Sequence, residues 1–294
     1  MDAHNGSSGG ATPTQPPANR GFSARVGRDL GPRVVSGLII AGVALAMILG
    51  GPLSFAALLA VVGCVVSWEW CRIVRGPETG LAIPAHIVVV LAAIALTAQG
   101  HVGAAVSLVA LGAIALAILC LHKYPLLSGA GVLFAGLPGI ALLWLRHDAM
   151  HGVAAVIFVI TAVAFTDIAA YFSGRLIGGP KLWPRVSPNK TWAGLGGGVI
   201  AAALVGAITG TFVAGASSWH LAILGAALAL AAQAGDLAES ALKRHFGAKD
   251  ASTLIPGHGG FMDRVDGLAT ASVLAALWAA SIDTTSPARA LLTW

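Results

Sequence analysis

Residues 152–173 read GVAAVIFVITAVAFTDIAAYFS, an apolar segment in which Asp167 is the single charged residue. Such a segment is typical of a helix that crosses a bilayer, which needs about 20 predominantly apolar residues. Over all 294 residues, 57% are hydrophobic and 10% are charged, whereas soluble domains carry about 25% charged residues. The composition therefore predicts an all-α, polytopic integral membrane protein and excludes an ordinary soluble domain or a disordered chain.

About nine apolar segments are candidate transmembrane helices. They lie at roughly 34–49, 52–67, 83–98, 103–121, 128–146, 152–173, 193–215, 219–242 and 265–281. Residues 1–27, in contrast, are rich in Gly, Ser, Pro and Asn and have too few large apolar side chains to order themselves. We therefore predict a disordered cytoplasmic tail at 1–27 and a single membrane domain at 28–294.

The basic residues predict how the spans are oriented. With the N-terminus in the cytoplasm, all but two of the 17 Lys and Arg residues fall on the cytoplasmic side of a nine-span topology, and the exceptions are Arg146 and Arg289. This asymmetry is what the positive-inside rule requires. The net charge of +5 then reflects membrane orientation and does not indicate binding to nucleic acid.

A few ionisable residues interrupt the apolar segments. Asp167 lies in the sixth span, and Asp236, Glu239, Ser240 and Lys243 form a stripe on one face near the end of the eighth. Ionisable groups inside a membrane span are costly and are candidates for function. A structural ion pair, or a hydrogen bond to a neighbouring span, is the alternative explanation.

Two further segments add chemistry on the same side. Residues 249–267, KDASTLIPGHGGFMDRVDG, form a Gly-rich loop followed by Asp263 and Asp266 on one helical face, where two carboxylates can converge on a cation such as Mg²⁺. Residues 187–194, SPNKTWAG, place hydroxyl groups and Lys190 at a helix start, a favourable position for phosphate. Interfacial anchoring explains Lys190 equally well. Together, these carboxylates, cations and the Gly-rich loop indicate phosphate and metal chemistry at the cytoplasmic face.

These residues match a known family. The pattern S-x-L-K-R-x4-K-D-x4-I-P-x-H-G-G-F-x-D-R-V-D, which runs from Ser240 to Asp266, resembles the signature of the phosphatidate cytidylyltransferases, the CDP-diacylglycerol synthases. The segments around Asp167 and at 187–194 are similar to that family as well. The resemblance covers about residues 160–275, which we take as the catalytic half.

The resemblance implies a reaction in which CTP and phosphatidate give CDP-diacylglycerol and pyrophosphate with Mg²⁺, and it leaves room for a second cation. It also implies a multi-pass enzyme of the cell inner (plasma) membrane, whose active site faces the cytoplasm. Its partners would be CTP, phosphatidate and membrane lipid, with no nucleic acid. A homodimer is compatible with this assignment.

Roles for individual residues follow from the resemblance and from the side-chain chemistry. The catalytic candidates are Asp236, Asp263, Asp266 and Lys243. The candidate metal ligands are Asp236, Asp263 and Asp266, with Asp167 as a further candidate. The substrate-binding candidates are Lys190, Ser187, Ser240, Arg244, Lys249, His258, Gly259, Gly260 and Arg264. For His258 we favour a hydrogen bond that fixes the loop over a role as a base.

Two alternative functions stay open at this stage. A CTP-dependent polyprenol or phytol kinase would share the polytopic body, but it would transfer the γ-phosphate to an alcohol. A transporter or lipid-binding module would place ionisable groups near the bilayer midplane in repeat-related segments. The ionisable groups here lie near span ends, and we find no internal repeat, which argues against a transporter.

Overall fold

The computed structural model describes residues 37–77, 79–252, 254 and 259–294. By its contacts the chain divides into Met1–Ile40, of which only 37–40 are described, and Ala41–Trp294. The second unit contains every residue of the site discussed below. The predicted tail at 1–27 lies outside the described residues.

Within the described residues, the regular structure is helical apart from one two-stranded hairpin. The helices are α1 (Gly37–Leu49), α2 (Pro52–Arg75), α3 (Ala82–Ala98), α4 (Val102–Leu119), α5 (Pro125–Arg146), α6 (Gly152–Leu176), α7 (Trp192–Phe212), α8 (Ser218–His245), α9 (Met262–Ile282) and α10 (Pro287–Leu292). The antiparallel hairpin consists of β1 (Lys181–Trp183) and β2 (Ser187–Thr191). Helices suit a bilayer because they satisfy their backbone hydrogen bonds internally.

The predicted membrane fold is confirmed. In the described part of the chain, α2 and α4 to α9 are seven helices long and apolar enough to cross a membrane, and α1 and α3 are shorter apolar helices. Each predicted span coincides with one of α1 to α9, and whether α1 and α3 cross the bilayer stays a prediction. The hairpin is a difference from the sequence expectation, because residues 187–191 form a strand before α7 begins.

Helices that follow one another in the chain pack side by side. The pairs α6 with α7, α7 with α8 and α8 with α9 form one group, and α2 to α5 form another. The second group contacts α9 through α5 and α2, and it contacts α6 through α5. The backbones of α7 and α8 come very close, since a Cβ atom on Gly206 would collide with the carbonyl of Leu221. Small residues allow such close packing between membrane helices. This packing positions the polar end of α8.

Candidate active site

The polar face of α8 carries a buried lysine between two carboxylates. Lys243 Nζ lies 2.7 Å from Glu239 Oε2, one turn earlier on α8, and 2.5 Å from Asp263 Oδ1 in the first turn of α9. The side chains of Glu239 and Lys243 are only 1% and 10% exposed. Buried carboxylates need a cation or hydrogen bonds to offset the loss of water. Lys243 supplies that cation and links α8 to α9.

Asp263 also holds the loop that precedes α9. Its Oδ2 accepts hydrogen bonds from the backbone N–H of Ala251 at 3.1 Å and of Gly260 at 2.9 Å, while Oδ1 faces Lys243. Ala251 and Gly260 lie near the two ends of the loop, so one carboxylate brings those ends together. A Cβ on Gly260 would lie 2.6 Å from Ala251 Cβ, which leaves no room for a side chain there.

A second group of charges surrounds Asp236 on α8. Lys190 of β2 places its Nζ 2.6 Å from Asp236 Oδ2, and Ser240 Oγ donates to Asp236 Oδ1 at 3.3 Å. Asp167 on α6 and Asp266 on α9 are close enough for their charges to interact with that of Asp236. Three helices thus bring three carboxylates into one region, together with a lysine from the hairpin.

Close packing of α8 against α9 fixes this second group. Thr270 Oγ1 donates to a backbone carbonyl of α8 at 2.8 Å, and a Cβ on Gly235 would lie 2.8 Å from the Asp266 carbonyl oxygen. The buried side chain of Gln233 donates to Asp167 Oδ1 at 3.4 Å, which ties α8 to α6 as well. The carboxylates therefore lie on helices that are held close together by the absence of a side chain at Gly235 and by the hydrogen bonds of Thr270 and Gln233.

The hairpin explains how Lys190 reaches the site. Lys181 of β1 pairs with Thr191 of β2. The strand β2, which carries Lys190, ends at Thr191, and α7 begins at the next residue. Thr191 Oγ1 accepts a hydrogen bond from the backbone N–H of Gly194 at 3.0 Å and caps that helix. A Cβ on Gly194 would lie 2.9 Å from the Ala170 carbonyl oxygen, so the start of α7 packs tightly on α6. This packing directs β2 toward Asp236.

The structure divides the predicted metal ligands between the two groups. Asp236 and Asp266 lie with Asp167 in the second group, whereas Asp263 turns toward Lys243 and the loop backbone. Whether Asp263 and Asp266 converge on one cation stays a prediction. Among the described residues, no three His, Cys, Asp or Glu side chains are already arranged to hold a metal ion together.

Three of the remaining predicted substrate-binding residues are exposed in the structure. Arg244 is exposed and donates to the Ala248 carbonyl oxygen at 3.3 Å, where α8 ends. Lys249 is exposed, and Arg264 is an exposed residue of α9 whose charge acts on Asp167. His258 lies outside the described residues. The part that each of these plays in substrate binding stays a prediction.

Sequence reasoning missed Glu69, a fully buried carboxylate on α2. It accepts hydrogen bonds from Ser252 Oγ at 2.5 Å, from the backbone N–H of Phe261 at 2.8 Å and from that of Met262 at 2.5 Å. The predicted span 52–67 ends before Glu69, whereas α2 continues to Arg75. A longer span would have placed this carboxylate inside a membrane helix and marked it as a candidate for function.

Together, the fold and the site define a class of protein: a multi-pass membrane protein with lysines and carboxylates concentrated at adjoining helix ends. Comparison with known sequences identifies the family. A sequence model of the cytidylyltransferase family matches residues 31–282, and the chain belongs to that family. It is therefore a nucleotidyltransferase, and the resemblance seen in the sequence is confirmed.

Curated relatives agree with this assignment. A phosphatidate cytidylyltransferase of Brucella suis is 36% identical over 263 residues, which cover 86% of this chain and 94% of the relative. The Haemophilus influenzae protein of the same name is 33% identical over 272 residues, or 81% of this chain and 94% of the relative. A Staphylococcus saprophyticus protein of that name is 43% identical over a shorter stretch of 129 residues, covering 44% of this chain and 50% of the relative.

Proposed function

We propose that the protein transfers a cytidylyl group from CTP to phosphatidate and so produces CDP-diacylglycerol and pyrophosphate. The observation that carries the proposal is the cluster of Asp167, Asp236 and Asp266 around Lys190, at the end of a membrane bundle. Such a site suits a reaction between a membrane lipid and a highly charged nucleotide. Membership in the cytidylyltransferase family supports the same choice.

The reaction presents an electrostatic problem. A phosphate oxygen of phosphatidate attacks the α-phosphorus of CTP, a new P–O–P bond forms, and the bond to the β-phosphate oxygen breaks to release pyrophosphate. The lipid phosphate is already ionised at neutral pH, so a strong general base is not required. The barrier arises from repulsion between two anions and from charge that develops on the leaving pyrophosphate.

The two lysines are placed to reduce that repulsion. Lys190 Nζ lies beside Asp236, and Lys243 Nζ lies between Glu239 and Asp263. In our proposal each ammonium group exchanges part of its carboxylate contact for a phosphate oxygen when substrate binds, and acts as a compact positive charge. Positive charge around the site is added by three exposed residues, Arg244, Lys249 and Arg264. Substrate oxygens are bound by Ser187, by Ser240 and by the loop at Gly259 and Gly260.

Mg²⁺ suits the donor set of the second group. We assign Asp236, Asp266 and Asp167 as the residues that would hold it, because the charges of these three carboxylates, which come from three helices, interact with one another and Mg²⁺ prefers oxygen ligands. Bound Mg²⁺ would neutralise charge on the transferring phosphate groups. Asp263 is proposed to position Lys243 and the loop, because both of its oxygens already accept hydrogen bonds within the protein.

The orientation of the chain can be tested directly. We propose that the enzyme resides in the inner membrane with its active site toward the cytoplasm, on the basis of the distribution of basic residues. A reporter inserted between Gly178 and Gly179, ahead of the hairpin, should read as cytoplasmic, and one fused after Trp294 should read as periplasmic. Reporter activity on the same side at both positions would contradict this topology.

The position of the radiolabel in CTP distinguishes the proposed reaction from the alternatives. Purified protein with phosphatidate, Mg²⁺ and α-labelled CTP should yield a lipid-soluble labelled product, and γ-labelled CTP should label only released pyrophosphate. With phytol or a polyprenol also present as the acceptor, a lipid kinase would reverse this result, because it transfers the γ-phosphate to an alcohol. A transporter would label no lipid with either form of CTP. Labelled lipid from γ-labelled CTP, or no labelled lipid from either form of CTP, would overturn the proposal.

A further inference from the structure

The segment that joins α6 to α7 carries positive charge without any acidic residue. Residues 168–235 contain four basic residues and no Asp or Glu. One of the four, Lys190, contacts Asp236 in the site. The other three are exposed and form no ion pair within the described part of the chain: Arg175, Lys181 and Arg185. This segment therefore presents positive charge that no carboxylate of the described residues neutralises.

Large apolar side chains are exposed beside these cations. Leu176 and Ile177, at the end of α6, are 82% and 73% exposed, and Trp183 and Trp192 are 48% and 57% exposed. Contact of such side chains with water is unfavourable, and exposed apolar patches mark interaction sites. Trp is enriched where a membrane meets water, because its ring is apolar and its N–H group is polar. The combination of Trp, apolar and basic residues is typical of a membrane–water interface.

The hairpin has one side toward the site and one side away from the protein. Lys190 of β2 reaches the site. In β1, Lys181 and Trp183 are exposed and Leu182 between them is half-buried, as the alternation of side chains along a strand requires. Arg185, in the turn, is exposed as well. We call the exposed residues Lys181, Trp183 and Arg185 the outer face of the hairpin.

The hairpin is also tethered close to the membrane at both ends. It connects α6 and α7, which are both long and apolar enough to cross a bilayer. Only residues 177–191 separate these two helices, and part of that length is folded back on itself in the hairpin. The outer face must therefore lie near the level at which α6 and α7 leave the bilayer.

We propose that the outer face of the hairpin docks on the surface of the surrounding bilayer and binds the head groups of anionic phospholipids. Lys181 and Arg185 contact lipid phosphate groups, and Trp183 lies at the level of the head groups. The charge complementarity favours an anionic surface, because each basic residue near such a surface strengthens attachment by about fivefold. The exposed Leu176 and Ile177 add apolar contact with the same bilayer.

Docking has a consequence for the active site, because the hairpin that meets the bilayer also carries Lys190. The membrane surface would hold β2 in the position from which Lys190 contacts Asp236. Anionic lipid should therefore increase the activity of the enzyme. This consequence rests on the proposed function, whereas docking itself does not.

The depth of a spin label tests docking without any assay of activity. In a cysteine-free background, a label at Pro184→Cys should be shielded from a water-soluble nickel complex and accessible to oxygen in vesicles of phosphatidylcholine and phosphatidylglycerol. A label at Asp250→Cys, an exposed position beyond the end of α8, should be accessible to nickel. Replacement of Lys181 and Arg185 with glutamine should increase the nickel accessibility of the label at 184. Equal nickel accessibility at 184 and 250 in wild-type background would overturn the proposal, whether or not the enzyme makes CDP-diacylglycerol.

Vesicle composition tests the effect on activity. At a fixed mole fraction of phosphatidate, we expect kcat/KM to be about threefold or more higher with phosphatidylglycerol than with phosphatidylcholine alone. The double variant Lys181→Gln with Arg185→Gln should lose this stimulation. The control variant Lys181→Arg with Arg185→Lys should retain it, because both charges are kept. Unchanged stimulation in the glutamine variant would overturn the proposal. A higher KM for CTP with unchanged stimulation would assign these cations to nucleotide binding and overturn it as well.

Discussion

Replacement of Asp266 with asparagine is expected to lower kcat by about a thousandfold or more, or roughly 4 kcal/mol of transition-state stabilisation. Asp266 is a buried carboxylate of α9 that interacts with the charges of Asp236 and Asp167. Asparagine keeps the size of the side chain but removes the negative charge with which the proposed site would hold Mg²⁺. Asp236→Asn should have an effect of the same order, because Asp236 belongs to the same group.

Asp283→Asn provides a matched control at the opposite end of α9. Asp283 forms an ion pair with Arg289 at 2.8 Å, at a distance from the charged groups of the site in the chain and in the fold. Exposed ion pairs contribute little to stability, so this variant should retain activity within about twofold. Steady-state assays of both variants across a Mg²⁺ titration would measure these effects on turnover. An Asp266→Asn enzyme with near wild-type turnover at saturating Mg²⁺ would remove Asp266 from the proposed metal site.

The second large effect is expected at Lys243. In Lys243→Met, Glu239 and Asp263 would lose the cation that lies 2.7 and 2.5 Å from them. Removal of one partner from a buried charge network costs about 3–5 kcal/mol, because it leaves an uncompensated charge. We therefore expect a clear drop in Tm in detergent. We also expect kcat/KM to fall by a factor of about tens to hundreds, if Lys243 contacts a substrate phosphate.

The double variant Glu239→Gln with Lys243→Met separates these two contributions. Neutralising Glu239 removes one of the carboxylates that Lys243 compensates, so part of the lost thermal stability should return. The activity should not return, because no ammonium group is restored near the substrate. Recovery of both stability and kcat/KM in the double variant would show that Lys243 is a structural ion-pair partner. Lys190, which contacts Asp236, would then be the lysine to test for phosphate binding.

The helices were the most predictable part of the molecule. Their apolar composition is a local property, and all nine predicted segments coincide with helices α1 to α9. Errors occurred where polar residues extend a helix beyond its apolar part. The second predicted span ended at residue 67, but α2 continues through Glu69 to Arg75 and buries that carboxylate against the loop. The hairpin at 181–191 was missed because its strands are short and polar.

The residues of the candidate site were also predictable as a set, but their partners were not. Helical periodicity placed Asp236, Glu239 and Lys243 on one face of α8, and the structure has Lys243 bonded to Glu239 one turn away. Periodicity also placed Asp263 and Asp266 together. The structure adds that Asp263 accepts hydrogen bonds from loop N–H groups, which the periodicity did not predict.

The sequence by itself determined the membrane fold, the family and the identity of the charged residues, because composition, span length and a contiguous signature are all written along the chain. Only the tertiary structure decided which charges meet. Lys190 reaches Asp236 by way of a hairpin, and Glu69 caps a helix that begins 193 residues later. Contacts of this kind depend on how the helices pack. In a low-dielectric bundle, the nearest partner of a buried charge determines whether that charge is compensated.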